Sequence, residues 1–130
     1  MATYKFRIEE KANGSHHVSF MYGGEKIFFS EAFTTKVAAY NNISSSRSNS
    51  GAPIVDTTIG ETGTGERYEI KAGSGTKAAE YYVRFFAENG EMLSHTEHYT
   101  AKHNAKNAIA AMKSNAKSAT IDDQTSSKAA

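Results

Sequence analysis

Three residues that commonly do chemistry lie close together in the stretch NGEMLSHTEHYTAK, residues 89–102. His95, Glu97 and His98 fall within four positions, and His103 follows directly after the stretch. Histidine and glutamate serve as general acids and bases, and both also bind metal ions. The stretch therefore raises two hypotheses, an acid–base site and a metal site.

The spacing of these histidines does not favour a metal site. His95 and His98 are three residues apart on a predicted strand, so their side chains are expected on opposite faces of the sheet. His103 falls at the start of a predicted helix. We predict no metal, no cofactor and no catalytic residue. A small enzyme stays the third functional hypothesis, and it needs a cleft that joins Glu97 to His95 or His98.

The same stretch has a counterpart in the first half of the chain, which predicts an internal duplication. Residues 24–37 read GEKIFFSEAFTTKV and residues 90–103 read GEMLSHTEHYTAKH, a shift of 66 residues. The counterparts of the three histidines are Phe29, Ala32 and Val37, so the histidines lie outside the shared pattern. The identical pairs at this shift include Gly24 and Gly90, Glu25 and Glu91, Glu31 and Glu97, Lys36 and Lys102, Asn41 and Asn107, and Asp56 and Asp122.

Each half is predicted to hold three strands, a helix and a fourth strand. In the second half the strands fall in RYEIK, EYYVRFFA, EMLSHTEHY and ATID, with a turn at Asn89-Gly90. An apolar stripe after Thr100, the expected helix cap, predicts the helix. The first half gives YKFRIE, HHVSFMY, KIFFSEAF and PIVD, with a helix that runs from a Thr34 or Thr35 cap to about Arg47.

These elements predict an α+β fold in which two tandem β3-α-β repeats form one antiparallel sheet, with both helices on one face. The expected boundaries are 1–58 for the first repeat, 59–66 for a Gly/Thr linker, 67–123 for the second repeat and 124–130 for a disordered tail. A unit of about 55 residues buries little apolar surface alone, so the two repeats are expected to fold as one domain.

Composition limits the functional classes. The 130 residues include no cysteine, which excludes disulfides, thiolate nucleophiles and zinc fingers. Lys and Arg number 15 against 14 Asp and Glu, and this balance is evidence against a strong nucleic-acid binder. No apolar run fits a signal peptide or a membrane span. We expect a cytoplasmic protein without membrane contact.

The motif in both halves resembles the YegP-like family, small bacterial and archaeal proteins of unknown function. The resemblance implies two β3-α-β units that form one sheet by exchanging their C-terminal strands, with Val55 beside the second unit and Ile121 beside the first. It implies no catalytic residue. The matching residues are Gly90, Glu91, Leu93, Glu97, Tyr99, Lys102, Asn107 and Ile109, and in the first half Gly24, Glu25, Ile27, Glu31, Phe33, Lys36, Asn41 and Ile43.

The predicted sheet carries apolar residues on the face that the helices leave open. We predict a non-enzymatic protein-interaction or regulatory module that acts through this open face, with a protein partner, self-association or inhibition of a host protein as its role. Weak binding of single-stranded nucleic acid by the same aromatics is the alternative. The candidate interaction residues are Met21, Phe28, Tyr82, Arg84 and Phe86.

The repeated polar residues are expected to be structural. Glu31 and Glu97 are expected to pair with Lys36 and Lys102, or to anchor the turn into each helix. Gly24 and Gly90 are expected to form the turns between the second and third strands.

Overall fold

The structure, a computed structural model, describes residues 3–125 and shows eight strands and two α-helices. The two halves have the same order of strands and helix, three strands followed by a helix and a fourth strand. The elements are β1 (Tyr4–Glu10), β2 (His16–Tyr22), β3 (Glu25–Phe29), α1 (Lys36–Ser48), β4 (Ile54–Asp56), β5 (Arg67–Ala72), β6 (Tyr81–Phe86), β7 (Met92–His95), α2 (Lys102–Asn115) and β8 (Thr120–Asp123). Two short 3-10 turns, Thr57–Ile59 and Gly75–Lys77, complete the secondary structure.

All eight strands form one sheet in the order β4-β5-β6-β7-β3-β2-β1-β8. The last strand of each half pairs with the first strand of the other half, which places Val55 opposite Glu69 and Ile121 opposite Phe6. Both of these edge pairs are parallel. The α+β class and the single sheet are confirmed, but the expected antiparallel arrangement is wrong, since the sheet is mixed.

The hydrophobic core lies on one face of the sheet, under both helices. Helix α1 contributes Ala39 and Ile43, and α2 contributes Ala105, Ile109 and Met112. The strands contribute a set of side chains that are almost fully buried: Phe6, Ile8, Val18, Phe20, Phe28, Tyr68, Ile70, Val83, Phe85 and Leu93. One continuous core therefore joins the two halves.

Two bulges interrupt the alternation of side chains on the central strands. The register shifts between Phe20 and Met21 where β2 pairs with β3, and between Phe85 and Phe86 where β6 pairs with β7. A bulge puts two consecutive residues against one on the partner strand. Ile27 and Phe28 consequently both pack against the core.

The two helices differ in their N-terminal caps. In α1 the backbone N–H of Ala38 donates to the Thr35 hydroxyl at 3.1 Å. Helix α2 begins after Ala101, which has the same extended backbone (φ −133°, ψ 138°) but no side chain that can accept a hydrogen bond. The expectation that Thr100 caps this helix is wrong by one residue.

Replacing Ala101 with Thr should raise the free energy of unfolding by about 1 kcal/mol, because the new hydroxyl would accept from a free N–H of the first turn. Thr35 already makes this contact from a nearly identical backbone conformation (φ −132°, ψ 155°). Urea unfolding followed by circular dichroism measures the change. Thr35→Ala is the matched control and should lower stability by a similar amount. An unchanged or lower midpoint for Ala101→Thr contradicts the prediction.

The connection between the halves is held by specific contacts. The backbone N–H of Asp56 donates to the Glu61 carboxylate at 2.8 Å, and the Gly63 backbone lies against the Val55 side chain. Residues 124 and 125 of the expected tail are also held, since the N–H of Gln124 donates to the Ile8 carbonyl at 2.9 Å and Thr125 is buried. The rest of the expected tail, residues 126–130, lies outside the described residues.

Candidate functional site

A concave pocket of about 730 Å³ lies on the open face, the face of the sheet opposite the helices. Val83 and Phe85 of β6 point into the core, so the alternating residues Tyr82 and Arg84 point into this pocket. The volume is in the range of small-ligand sites. We call this the open-face pocket; its walls are formed by Phe29, Ala72, Gly73, Ser74, Lys77, Tyr82, Arg84, Met92, His95, Thr96, Glu97 and His98.

Aromatic and imidazole rings are grouped in the open-face pocket. The rings of Tyr82 and His98 lie 4.7 Å apart, and the rings of Phe29 and His95 meet edge to face at 5.2 Å. Phe29 and His95 are also paired in the sheet, where β3 of the first half lies beside β7 of the second half. The pocket therefore lies against the centre of the eight-stranded sheet.

The pocket has two exposed cations, Lys77, which contacts Glu80 at 3.6 Å, and Arg84. The Arg84 guanidinium lies 5.5 Å from the centre of the Tyr82 ring, and it has no ion pair among residues 3–125. The neighbouring cations on the same face are paired, since Glu69 binds Arg67 at 2.6 Å and Lys71 at 3.7 Å. Arg84 is thus free to bind an anion from solution.

The structure places His95 and His98 in the same pocket, so the prediction that they face opposite ways is wrong. Strand β7 ends at His95, and the two-residue alternation of a strand does not extend to His98. His103 is exposed on α2 and does not line the pocket. Within residues 3–125, no three histidine or carboxylate side chains gather closely enough to hold a metal ion.

Glu97 lines the pocket with both histidines but does not orient either of them. The Nδ1 atom of His95 lies 3.2 Å from the Thr96 carbonyl oxygen, within hydrogen-bond distance. A general base in an active site is commonly oriented by a hydrogen-bonded partner. In the part of the chain that the structure describes, no hydrogen bond joins Glu97 to His95 or His98.

Two of the five candidate interaction residues are buried. Phe28 is 1% exposed and packs in the core, where its ring lies 6.3 Å from those of Tyr68 and Phe85. Met21 is also 1% exposed. The assignment of Phe28 and Met21 to an accessible face is wrong, because the bulge in β3 turns Phe28 inward and presents Phe29 instead. Tyr82, Arg84 and Phe86 keep their predicted places on the open face.

The repeated lysines bind partners other than the ones that the sequence suggested. Lys36 contacts Asp123 at 3.1 Å, and Lys102 contacts Asp56 at 2.9 Å. Glu31 and Glu97 form no ion pair with these lysines. We call the two observed contacts the inter-half ion pairs, since each joins the helix start of one half to the last strand of the other.

The two aspartates of the inter-half ion pairs have closely similar surroundings. Asp56 accepts from the backbone N–H and the hydroxyl of Thr58, and Asp123 accepts from the same groups of Thr125. Burial raises the pKa of Asp56, but the hydrogen bonds from Thr58 and Lys102 outweigh it and hold that pKa below its usual value. The matching aspartate is therefore Asp123 and not Asp122, because α2 is one residue longer than α1.

The turn glycines of the two halves also differ. Gly90 has a left-handed backbone with φ 86°, which a residue with a side chain rarely adopts. In the first half the positive φ of 58° belongs to Gly23 and not to Gly24. Gly24 and Gly90 therefore both lie in the turn between the second and third strands, as expected, but the left-handed residue is Gly23 in the first turn and Gly90 in the second.

Sequence comparisons assign the family. The model described as "Domain of unknown function (DUF1508)" matches residues 77–123. A UPF0339 protein YegP of Yersinia pestis is 32% identical over 126 residues, which cover 96% of this chain and 99% of the relative. The chain belongs to the YegP-like (UPF0339) family. A YegP protein of Escherichia coli K12 is likewise 32% identical, over 78% of this chain and 79% of its own length.

Solved structures of YegP-like proteins share this fold. The solution structure of YegP from E. coli superposes with a TM-score of 0.75 at 26% identity, covering 98% of this chain and 97% of that one. A UPF0339 protein of Shewanella oneidensis gives the same TM-score at 22% identity and covers 97% of this chain and 95% of its own. The E. coli structure is described as a protein of unknown function. The geometry of the open-face pocket is therefore the basis for its function.

Proposed function

We propose that this YegP-like protein is a non-enzymatic binding module and that the open-face pocket is its binding surface. The observation that carries the proposal is the pairing of an exposed, unpaired Arg84 with the Tyr82 ring inside a concavity. An aromatic ring beside a free cation can hold a planar group and an anionic group of the same ligand. Single-stranded nucleic acid presents both, as bases and phosphates.

The charge of the open face supports an anionic ligand. Glu9 and Asp122 are neutralised by Lys26 and by Lys5 and Arg7, so they leave little negative potential there. Basic side chains outnumber acidic ones on this face even when Glu97 of the pocket is counted: Lys5, Arg7, Lys26, Arg67, Lys71 and Arg84 against Glu9, Glu69, Glu97 and Asp122. Sheets that bind single strands commonly combine such cations with stacking aromatics.

The open face is less suited to docking a protein than the sequence suggested. Phe28 and Met21 are buried, so this face offers less apolar surface to a partner. A protein partner with an acidic segment remains the second candidate, because Tyr82 and Arg84 are of the residue types that dominate interface energies. Regulation or inhibition of a host protein belongs to this second candidate.

Replacing Tyr82 with Ala should weaken binding of a short single strand at least about fivefold, because stacking of one base contributes about 1–3 kcal/mol. Arg84→Ala should also weaken binding and should lower the slope of log affinity against log salt by about 1. Labelled oligo-dT and oligo-U of about ten nucleotides, titrated at two salt concentrations and followed by fluorescence anisotropy, measure both effects.

The control variant is Lys106→Ala, which removes an exposed cation from the opposite, helical side. It should leave oligonucleotide affinity unchanged. Absence of salt-sensitive binding by the unaltered protein removes the nucleic-acid proposal. Capture of an acidic protein that depends on Tyr82 and Arg84, in the absence of oligonucleotide binding, moves the proposal to the second candidate.

A further inference from the structure

Two matching clefts lie on the helical side of the sheet, each between a helix and the central strands. The tyrosine cleft has a volume of about 490 Å³ and the sister cleft about 410 Å³. The tyrosine cleft is lined by Tyr4, Tyr22, Glu25, Ile27, Glu97, Tyr99, Asn104, Asn107, Ala108 and Ala111. The sister cleft is lined by Glu31, Phe33, Ala38, Asn41, Asn42, Ser45, Glu91, Met92 and Leu93.

The clefts repeat the same polar residues. Each contains a glutamate from the start of a third strand in one half, and a glutamate and an asparagine from the other half. In the tyrosine cleft these residues are Glu25, Glu97 and Asn107. At the shift of 66 residues they correspond to Glu91, Glu31 and Asn41, which line the sister cleft.

Internal structure does not account for these shared residues. All six side chains are exposed, and within residues 3–125 none of them has a hydrogen bond or an ion pair. The repeated lysines, in contrast, are used in the inter-half ion pairs. These residues are identical in the two halves although their side chains make no internal contact in the described part of the chain. A ligand that binds in both clefts would explain this identity.

The tyrosine cleft is electrostatically negative. Neither lysine nor arginine is among its lining residues, which include the two carboxylates Glu25 and Glu97. Burial, with added repulsion from Glu97 and then Glu25, raises the pKa of Tyr99 to about 12. Two carboxylates in a cleft without a lysine or arginine would attract a cation.

Aromatic rings in the tyrosine cleft favour an organic cation. Tyr22 and Tyr99 line the cleft, and Tyr4 supports the Tyr22 ring at 4.7 Å while it stacks on Phe20 at 5.6 Å. A substituted ammonium group is stabilised by such rings and by carboxylates together. We propose that the tyrosine cleft binds an alkylammonium group and that the sister cleft is a second, weaker site for the same group.

The difference in affinity follows from the lining residues. The sister cleft has Phe33 where the tyrosine cleft has Tyr99, and it has no residue that plays the part of Tyr4 or Tyr22. Asn42 of the sister cleft is also occupied, because its amide donates to the Leu93 carbonyl at 2.8 Å. Fewer electron-rich ring faces surround a cation in that cleft.

The proposal can be tested on the full chain by titrating butylammonium while amide and tyrosine-ring NMR signals are followed at constant ionic strength. N-butylacetamide is the uncharged probe, and an Nα-acetyl-lysine amide is a parallel probe. We expect saturable shifts at Tyr99 and Ala108 with either ammonium compound. Tighter binding of butylammonium supports a free amine as ligand, and tighter binding of the lysine derivative supports a lysine side chain.

The variant Glu25→Gln/Glu97→Gln should weaken binding in the tyrosine cleft at least about tenfold. Glu31→Gln/Glu91→Gln alters the sister cleft in the same way and should leave the shifts at Tyr99 unchanged. Because all four glutamates are exposed, folding is expected to persist and is checked by circular dichroism. Equal shifts with N-butylacetamide, or unchanged affinity in Glu25→Gln/Glu97→Gln, overturn the proposal. Because Glu97 also lines the open-face pocket, oligonucleotide binding is compared with the single variant Glu25→Gln, which alters the tyrosine cleft alone.

Discussion

Replacing Phe28 with Ala should lower the free energy of unfolding by about 3–5 kcal/mol, whereas Phe29→Ala should cost far less. Phe28 is 1% exposed and its ring contacts Tyr68 and Phe85 of the other half. Removing it leaves a cavity in the middle of the shared core, which the surrounding rings cannot refill from fixed strands. Phe29 is half-buried on the open face, where solvent can take the place of its ring.

Urea unfolding at neutral pH, followed by circular dichroism, measures the free energy of unfolding of both variants. The two substitutions are at adjacent positions in the chain. The two changes should also separate in function, because Phe29 lines the open-face pocket and Phe28 does not. Phe29→Ala should therefore alter oligonucleotide binding while the protein remains folded. Equal destabilisation by the two variants would contradict the assignment of Phe28 to the core.

The alternation of residues along a strand does not show which of Phe28 and Phe29 faces the core. Period-two alternation assigns faces correctly to β6, where Val83 and Phe85 are buried and Tyr82 and Arg84 are not. The bulge in β3 adds one residue, and the side chains before and after it change faces. A bulge depends on pairing with a neighbouring strand, so a single strand's sequence does not determine it. The same limit explains His98, whose position depends on where β7 ends.

The α+β class and the element order could be predicted because they depend on local signals: turns, alternation and helical stripes. The contacts of the repeated polar residues could not. Lys36 and Glu31 are neighbours in the chain, yet Lys36 binds Asp123 from the other half. Such contacts depend on how the last strands pair across the sheet, which no local pattern encodes. The open-face pocket could not be predicted for the same reason, since β3, β6, β7 and the end of β5 with its following loop form it together.

Neutralising both aspartates of the inter-half ion pairs should destabilise the protein strongly. The variant Asp56→Asn/Asp123→Asn keeps the shape of both side chains but removes their charges. Asp123 accepts from Thr125, from Lys36 at 3.1 Å and from the Tyr40 hydroxyl at 2.9 Å. Hydrogen bonds to a charged group contribute about 1.5–3 kcal/mol each, and partial exposure of the lysines reduces this. We expect a loss of about 2–4 kcal/mol in total.

The pH dependence gives a second measure of the same contacts. Burial raises the pKa of Asp123, but hydrogen bonds from Thr125, Lys36 and Tyr40 outweigh it, so its folded-state pKa lies well below the usual value. The folded-state pKa of Asp56 is also lowered. A depressed carboxylate pKa stabilises the folded state above the unfolded-state pKa of about 3.9. This stability is lost as the pH falls from that value toward the folded-state pKa.

The unaltered protein should therefore lose stability steeply below about pH 4, and Asp56→Asn/Asp123→Asn should show a shallower loss because two of the responsible groups no longer titrate. Asp122 and Glu9, whose pKa values are also lowered, should supply the remainder. Urea midpoints measured between pH 3 and pH 7 test this. Lys106→Met, which removes an exposed lysine of α2 outside these contacts, is the control. A variant curve parallel to that of the unaltered protein would show that the inter-half ion pairs do not hold the last strands in place.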